Sequence, residues 1–224
     1  DLVENDAPAK FDVGETTVTW TVTDIHGNTA TAEQVVTVTD DEAPSITAPS
    51  DRTITSEEGL CGVSDPNLGT PVTADNCGVD LVENDAANPL PVGENTITWT
   101  VTDIHGNTAT ATQTVTVTDI EAPTITPADD VVASSDEGIC EASGVDLGAP
   151  ETGDNCAVDL VENNAPETFP VGQTTVTWTV TDIHGNTTTA TQLVTINDDE
   201  APVVTAPDDI TVSADGDTCL ATLN

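Results

Sequence analysis

Residues 96–117 read TITWTVTDIHGNTATATQTVTV, and the stretch returns little altered as TVTWTVTDIHGNTATAEQVVTV at 17–38 and TVTWTVTDIHGNTTTATQLVTI at 175–196. Ile97, Trp99 and Val101 alternate with Thr96, Thr98 and Thr100, the period of a strand with one buried and one wet face. On the returning arm Ala109, Ala111, Val115 and Val117 point one way and the intervening threonines the other, so β-branched residues dominate both arms. Between them Asp103-Ile104-His105-Gly106-Asn107 supplies a glycine that tolerates positive φ and two side chains able to bond nearby backbone amides. The stretch is a long β-hairpin. Its apolar face needs a second sheet, which the rest of the repeat must provide.

The tryptophans Trp20, Trp99 and Trp178 are spaced 79 residues apart, as are Cys61, Cys140 and Cys219. That period is too long for a solenoid unit and suits small independent domains in series. The expected division is a C-terminal part of a domain at 1–41, complete domains at 42–120 and 121–199, and an N-terminal part at 200–224, as in a window on a longer array. Within a repeat the first strands fall near Ser45–Ala48 and Arg52–Ser56. Others follow at Leu60–Val63, Leu68–Thr73 and Val79–Glu83, and a loop anchored by Leu90 leads into the hairpin. Arg52 takes an inward position that is Val131 and Ile210 elsewhere, so it belongs at a sheet edge with its stem buried. About seven short strands without a helix signal predict an all-β fold of tandem immunoglobulin-like β-sandwich domains. Linkers such as Asp119-Ile120-Glu121-Ala122-Pro123 leave little slack between repeats.

A formal charge of −39, with Lys10 and Arg52 against 41 carboxylates, repels nucleic acid and anionic lipid and favours an extended, soluble surface. The regular alternation and the recurring tryptophan argue against disorder, which so acidic a composition would otherwise suggest. The core is small, and a staple is expected. Cys61 and Cys77, and again Cys140 and Cys156, lie 16 apart, and a disulfide closing such a loop contributes roughly 3 kcal/mol. Zinc ligation is the rival use, without a CxxC or a histidine partner to support it. The expectation is therefore Cys61–Cys77 and Cys140–Cys156, each within its own domain, in an exported protein. No signal peptide, apolar span or lipidation motif is visible.

The run DNCGVDLVENDAANPLPVGENTITWTVTDIHGNTATATQTVTVTDIEAPTIT resembles the hyalin repeat, or HYR domain. Its hallmarks are a DN turn, a PVG before a strand, a TD-x-x-GN hairpin turn and a D-x-x-P-x-I junction. The resemblance covers the whole repeat and both flanking fragments, and implies an immunoglobulin-like adhesion module. Ala48 and the Ala109 to Ala111 region stand where the animal pattern often has cysteines. The C-x15-C framework ending in DNC resembles instead the version in very large repetitive surface adhesins of gliding and biofilm-forming Bacteroidota.

His26, His105 and His184 sit in a hairpin turn without a nucleophile in a recognisable setting, so the chain is not expected to be an enzyme. Calcium is the one cofactor the pattern suits. In such a sandwich the entry strand, the DN turn and the last hairpin turn share one end of the domain. That end would collect Asp41, Glu42, Asp75, Asn76, Asp103 and Asn107, and at the next junction Asp119, Glu121, Asp154, Asp182 and Asn186, hard oxygen ligands in a number that fits Ca²⁺. The alternative is that Asp103 and Asn107 only cap their turn while the linker acids are solvated. The leading function is a structural stalk or filament of a secreted cell-surface adhesin. Its partners would be neighbouring repeats of the chain, with a surface or glycan ligand held by other regions, and neither nucleic acid nor a membrane interior. The rivals are repeats that themselves bind a glycan or protein, which the inward tryptophans disfavour, and an accessory region of a secreted enzyme.

Overall fold

The computed structural model describes residues 1–214, 216 and 219–221, so the fragment 200–224 is described only in part. The chain forms two compact units, one of residues 1–123, 154–158 and 182–186 and the other of 124–153, 159–181 and 187–224. Among the described residues no helix is long and apolar enough to cross a membrane.

Unit 1 opens with β1 (Leu2–Asn5), β2 (Gly14–Thr23) and β3 (Thr29–Val38) in one antiparallel sheet. A full repeat follows: β4 (Ser45–Thr47), β5 (Arg52–Thr55), β6 (Gly62–Val63), β7 (Val72–Ala74), β8 (Val79–Asn84), β9 (Leu90–Pro91), β10 (Gly93–Asp103) and β11 (Thr108–Thr118). A four-stranded sheet in the order β5-β11-β10-β8 is joined by the ladders β4–β7 and β6–β9. The expected hairpin is β10–β11, paired from Gly93↔Val117 to Thr102↔Thr108, with Gly106 at φ 93° in its turn. Strand β5 lies at the sheet edge, parallel to β11, which puts Arg52 where the sequence predicted; its guanidinium donates to the Asn67 carbonyl. Eight strands form rather than about seven, because Leu90–Pro91 of the supposed loop pairs with Gly62–Val63.

The alternation on the hairpin becomes the core. Ile97, Trp99, Val115 and Val117 are buried with Leu68 and Leu90, and Ile46 and Val63 of the small ladders pack against them. Trp99 is paired across the hairpin with Ala111, a small neighbour that leaves space for the indole. Unit 2 repeats the plan with β12 (Thr124–Thr126), β13 (Val131–Ser134), β14 (Glu141–Ser143), β15 (Glu151–Gly153), β16 (Val158–Asn163), β17 (Thr168–Pro170), β18 (Gly172–Asp182) and β19 (Thr187–Asn197). Its core is Phe169, Val176, Trp178, Val194 and Ile196 with Ala142. Trp20 departs from the expected inward burial. It is 40% exposed against 6% for Trp99 and Trp178, since the β1–β3 sheet has no second sheet laid over its face among the described residues.

One core member reads as polar in the sequence. Gln113 is fully buried, accepts a bond from Trp99 Nε1 at 3.1 Å and donates to the Ser50 and Leu68 carbonyls at 2.9 and 3.0 Å. Gln192 repeats this with Trp178, Asp129 and Leu147. The amide ties the hairpin to two loops that have no strand partner there. Gln113→Leu keeps the volume but orphans three polar groups, and a loss of about 2 to 4 kcal/mol is expected in denaturant melts. An unchanged midpoint would mean that water replaces the amide.

The cysteines correct the sequence expectation. Cys61 does not pair with Cys77, nor Cys140 with Cys156; the bond is Cys61–Cys156, with Cα atoms 4.7 Å apart and both residues in unit 1. Cys77, Cys140 and Cys219 carry free thiols. Gly78 accepts from Ile104 N beside the hairpin turn, whereas Ser56 donates to Thr118 at the far end of β11. The length of that strand, roughly 33 Å, separates Cys77 from Cys61, and a disulfide needs Cα atoms within about 7 Å.

Candidate functional site

Two clusters of the same design are built at the turn ends of the hairpins, both within unit 1. Each starts from the aspartate that closes the turn. Asp182 Oδ1 accepts from His184 N and Asn186 N at 2.8 and 2.9 Å, and its Oδ2 accepts from Asn186 Nδ2 at 2.7 Å. Asp103 does the same with His105 and Asn107. Such a turn forms locally because an aspartate side chain reaches the amides two and four residues on, and glycine takes the positive φ between them. Asn186 Nδ2 also donates to the Asp119 carbonyl at 3.3 Å, as Asn107 Nδ2 does to that of Asp40 at 3.0 Å, which fixes the turn to the segment following a long strand.

Onto this framework the D-N-C loop adds a second aspartate. Asp154 Oδ2 accepts from Cys156 N and Ala157 N at 2.8 and 2.9 Å, and Asp75 Oδ2 from Cys77 N and Gly78 N at 2.7 and 2.8 Å. The other oxygen of each, Oδ1, is buried without a hydrogen-bond partner, and so is Asn155 Oδ1. Asp119, Asp154 and Asp182 bring carboxylate oxygens within 4.8 Å of one another, and Asp40, Asp75 and Asp103 do likewise. Asp119 also holds His184 Nδ1 at 3.2 Å, Ser56 Oγ at 3.1 Å and Asn155 Nδ2 at 3.2 Å.

Burial pushes the Asp119 carboxyl up. Donors from Asn155, the Glu121 amide, Ser56 and His184 outweigh it and hold the group below its ordinary 3.8. Asp182 is buried too and is held low by Asn186 and the amides of its turn. A carboxyl lowered in the native state contributes stability that is complete above the ordinary carboxylate pKa and is lost as pH falls through the lowered native value. Acid unfolding of Asp182→Asn should accordingly show a shallower dependence below pH about 4 than the parent, with lower stability at neutral pH. Parallel acid limbs in the two proteins would contradict it.

The predicted residues divide. Asp75, Asp103, Asp119, Asp154 and Asp182 come together in the two clusters. Asn107 and Asn186 serve the turns, Asp41 accepts from Thr39, and Glu42 accepts from Asn76. Glu121 accepts from the Gly59 amide at 2.7 Å rather than lying in a cluster. Sequence reasoning missed Asp40, His105 and His184. The 79-residue spacing of Asp40 and Asp119 was the available signal. The free Cys77 thiol lies beside Asp40 and His105, and its pKa is raised by the Asp40 carboxylate, by burial and by Asp75 and Asp103. In the other cluster Cys156 is committed to its disulfide, so the ligating set there is oxygen from aspartates with an imidazole at its rim.

Residues 39–117 match the HYR domain. The chain is similar to hyalin of Strongylocentrotus purpuratus, 36% identical over 214 residues, which is 88% of this chain and 18% of that protein. It is 38% identical to hyalin of Lytechinus variegatus over 112 residues, 47% of this chain and 21% of that protein. The chain thus spans about a fifth of the length of these relatives. Among solved structures it is similar to human protocadherin-24 EC1-2 at a TM-score of 0.38 and 12% identity, covering 71% of this chain and 100% of that one. It is also similar to protocadherin gammaB7 EC3-6 at 0.36 and 14%, covering 83% and 58%. One repeat, residues 39–117, is thus HYR-like, and the similarity to hyalin extends over 88% of the chain.

Proposed function

We propose that the chain is an adhesion segment of a large extracellular protein, in which successive repeats are held in register by the Cys61–Cys156 bond and by Ca²⁺ at Asp119, Asp154 and Asp182. The reading is carried by Asp154, whose Oδ1 is buried without a protein partner and which brings a carboxylate oxygen within 4.8 Å of those of Asp119 and Asp182. Leaving such an oxygen unpaired costs about 1 to 3 kcal/mol or more, and a bound cation removes that penalty together with the mutual repulsion of three aspartates. Hard oxygen donors of adjustable geometry favour Ca²⁺ over transition metals. Asn155 Oδ1, also buried and unpartnered, is a neutral donor of the same type. The ion would order the loop and the turn; the chain's own residues already hold both near that arrangement.

A melt in Ca²⁺ and in chelator tests this. At a hundredfold excess over the dissociation constant the gain is about 2.7 kcal/mol, and Asp154→Asn should abolish it without destabilising the apo protein, since it removes one of three mutually repelling charges. Identical melts with and without Ca²⁺ remove the ion from the proposal.

Ligand contact by the repeats themselves is the finer reading favoured by a recurrent polar hollow. Glu162, Asn163, Asn164, Thr177 and Thr179 line one of about 410 Å³, and the corresponding Glu4, Asn5, Asp6, Thr19 and Thr21 line another of about 340 Å³. Their carboxylates, amides and hydroxyls suit a polyhydroxyl ligand. The stalk of a surface adhesin of the gliding or biofilm-forming kind rests on the cysteine framework alone. A glycan array would separate the two readings, since a pure stalk retains no glycan.

A further inference from the structure

The D-N-C loop of residues 154–158 sits in a seat formed at the G-x-C turn. There Asn155 Nδ2 donates to the Leu60 carbonyl at 3.3 Å and to Asp119 Oδ1 at 3.2 Å, and Cys156 bonds Cys61. The floor of the seat is set by Glu121, which accepts from Gly59 N at 2.7 Å, and by Asp119, which accepts from Glu121 N at 3.1 Å. Unit 2 contains the same floor one repeat later. Glu200 Oε2 accepts from Gly138 N at 2.7 Å and Asp198 Oδ1 from Glu200 N at 3.1 Å. There it is open: a hollow of about 330 Å³ is lined by Gly138, Ile139, Cys140, Asp198, Glu200 and Pro202, and Cys140 is an exposed free thiol.

We infer that this hollow is a docking seat for the Asp-Asn-Cys loop of a further repeat covalently continuous with residues 198–203, closed by a disulfide to Cys140. The occupant's asparagine would donate to the Ile139 carbonyl and Asp198 Oδ1, as Asn155 does one repeat earlier. Disulfides then run from each repeat to the next, a covalent ladder along the array rather than a staple inside each domain. Formation joins two thiols and releases two protons and two electrons to an external thiol oxidant, a disulfide of the extracellular medium.

A second copy of the chain, presenting its free Cys77, fits less well. Asp119 serves both sides of the filled seat, bonding Ser56 on one and Asn155 and His184 on the other. In a contact between copies that place would have to hold both Asp198 of one and Asp40 of the other, and Asp40 is already bound to His105 and Asn107. Two linker carboxylates would meet where one is accommodated. The inference does not depend on Ca²⁺.

The test extends the full chain after Asn224 with a second copy of residues 146–199, which completes the next repeat and carries Ala157→Ser so that its cysteine peptide differs in mass, and maps disulfides in a non-reduced digest at aspartate and glutamate. Cys140 joined to the added copy of Cys156, with Cys61–Cys156 intact, is the expected result. Cys140 left free, or joined to Cys77 of another molecule, overturns the proposal. A second measurement does not require the added repeat to fold. A peptide of residues 150–158, its cysteine activated as a mixed disulfide, should transfer to Cys140 of the unextended chain about tenfold faster than to Cys219, the advantage two net hydrogen bonds provide. Equal rates at the two thiols would overturn it as well.

Discussion

Replacing Trp99 with alanine is expected to lower the stability of its core by on the order of 3 to 5 kcal/mol, close to the whole stability of a small domain. The indole is 6% exposed and is packed among Ile97, Leu90, Val115 and Leu68, so its removal leaves a cavity that two thin sheets cannot close. It also strands Gln113, whose side-chain oxygen loses its donor inside the core. Unit 2 has its own core around Trp178 and should keep a separate cooperative transition, read from the emission of that residue. A variant that loses only a fraction of a kcal/mol, or one in which the Trp178 signal melts together with the damaged core, would show that the repeats do not have independent cores.

Reduction of the Cys61–Cys156 bond should have a comparable effect. The bridge spans a sequence separation of 95 residues, for which the chain-entropy relation gives about 4.7 kcal/mol. A bridge between Cys61 and Cys77 would close a loop about six times shorter and contribute roughly 3 kcal/mol. The double variant Cys61→Ser, Cys156→Ser separates the bond from side effects of the reductant and should match the reduced parent. Equal midpoints for oxidised and reduced protein, or a digest that links Cys61 to Cys77, would refute the arrangement.

Much of the fold was legible because the repeat wrote it three times. Strict alternation of threonine with Ile, Trp and Val marked both hairpin arms, and D-I-H-G-N marked the turn between them; these are local properties, determined by strand period and by what glycine and aspartate do over four residues. Leu90 and Phe169 stood out as anchors for the same reason, as apolar residues in an otherwise polar stretch, and both are buried. Gln113 and Gln192 were not legible, since an amide in a row of threonines looks wet until the indole above it and the two carbonyls below it are in place.

The sequence alone determined the 79-residue period and the all-β plan, because these depend on composition and spacing along the chain. The tertiary structure decided which aspartates meet and which cysteines bond. Asp40 and Asp119, rather than Asp41, Glu42 and Glu121, reach the clusters, because one or two residues further along an extended segment is enough to change the atoms a side chain touches. Cys61 lies 16 residues from Cys77 but at the other end of an 11-residue strand, and 95 residues from Cys156 but in contact with it. A disulfide depends on distance in space, and in a sandwich of long strands neighbours in sequence are carried to opposite ends while residues of different repeats are brought together.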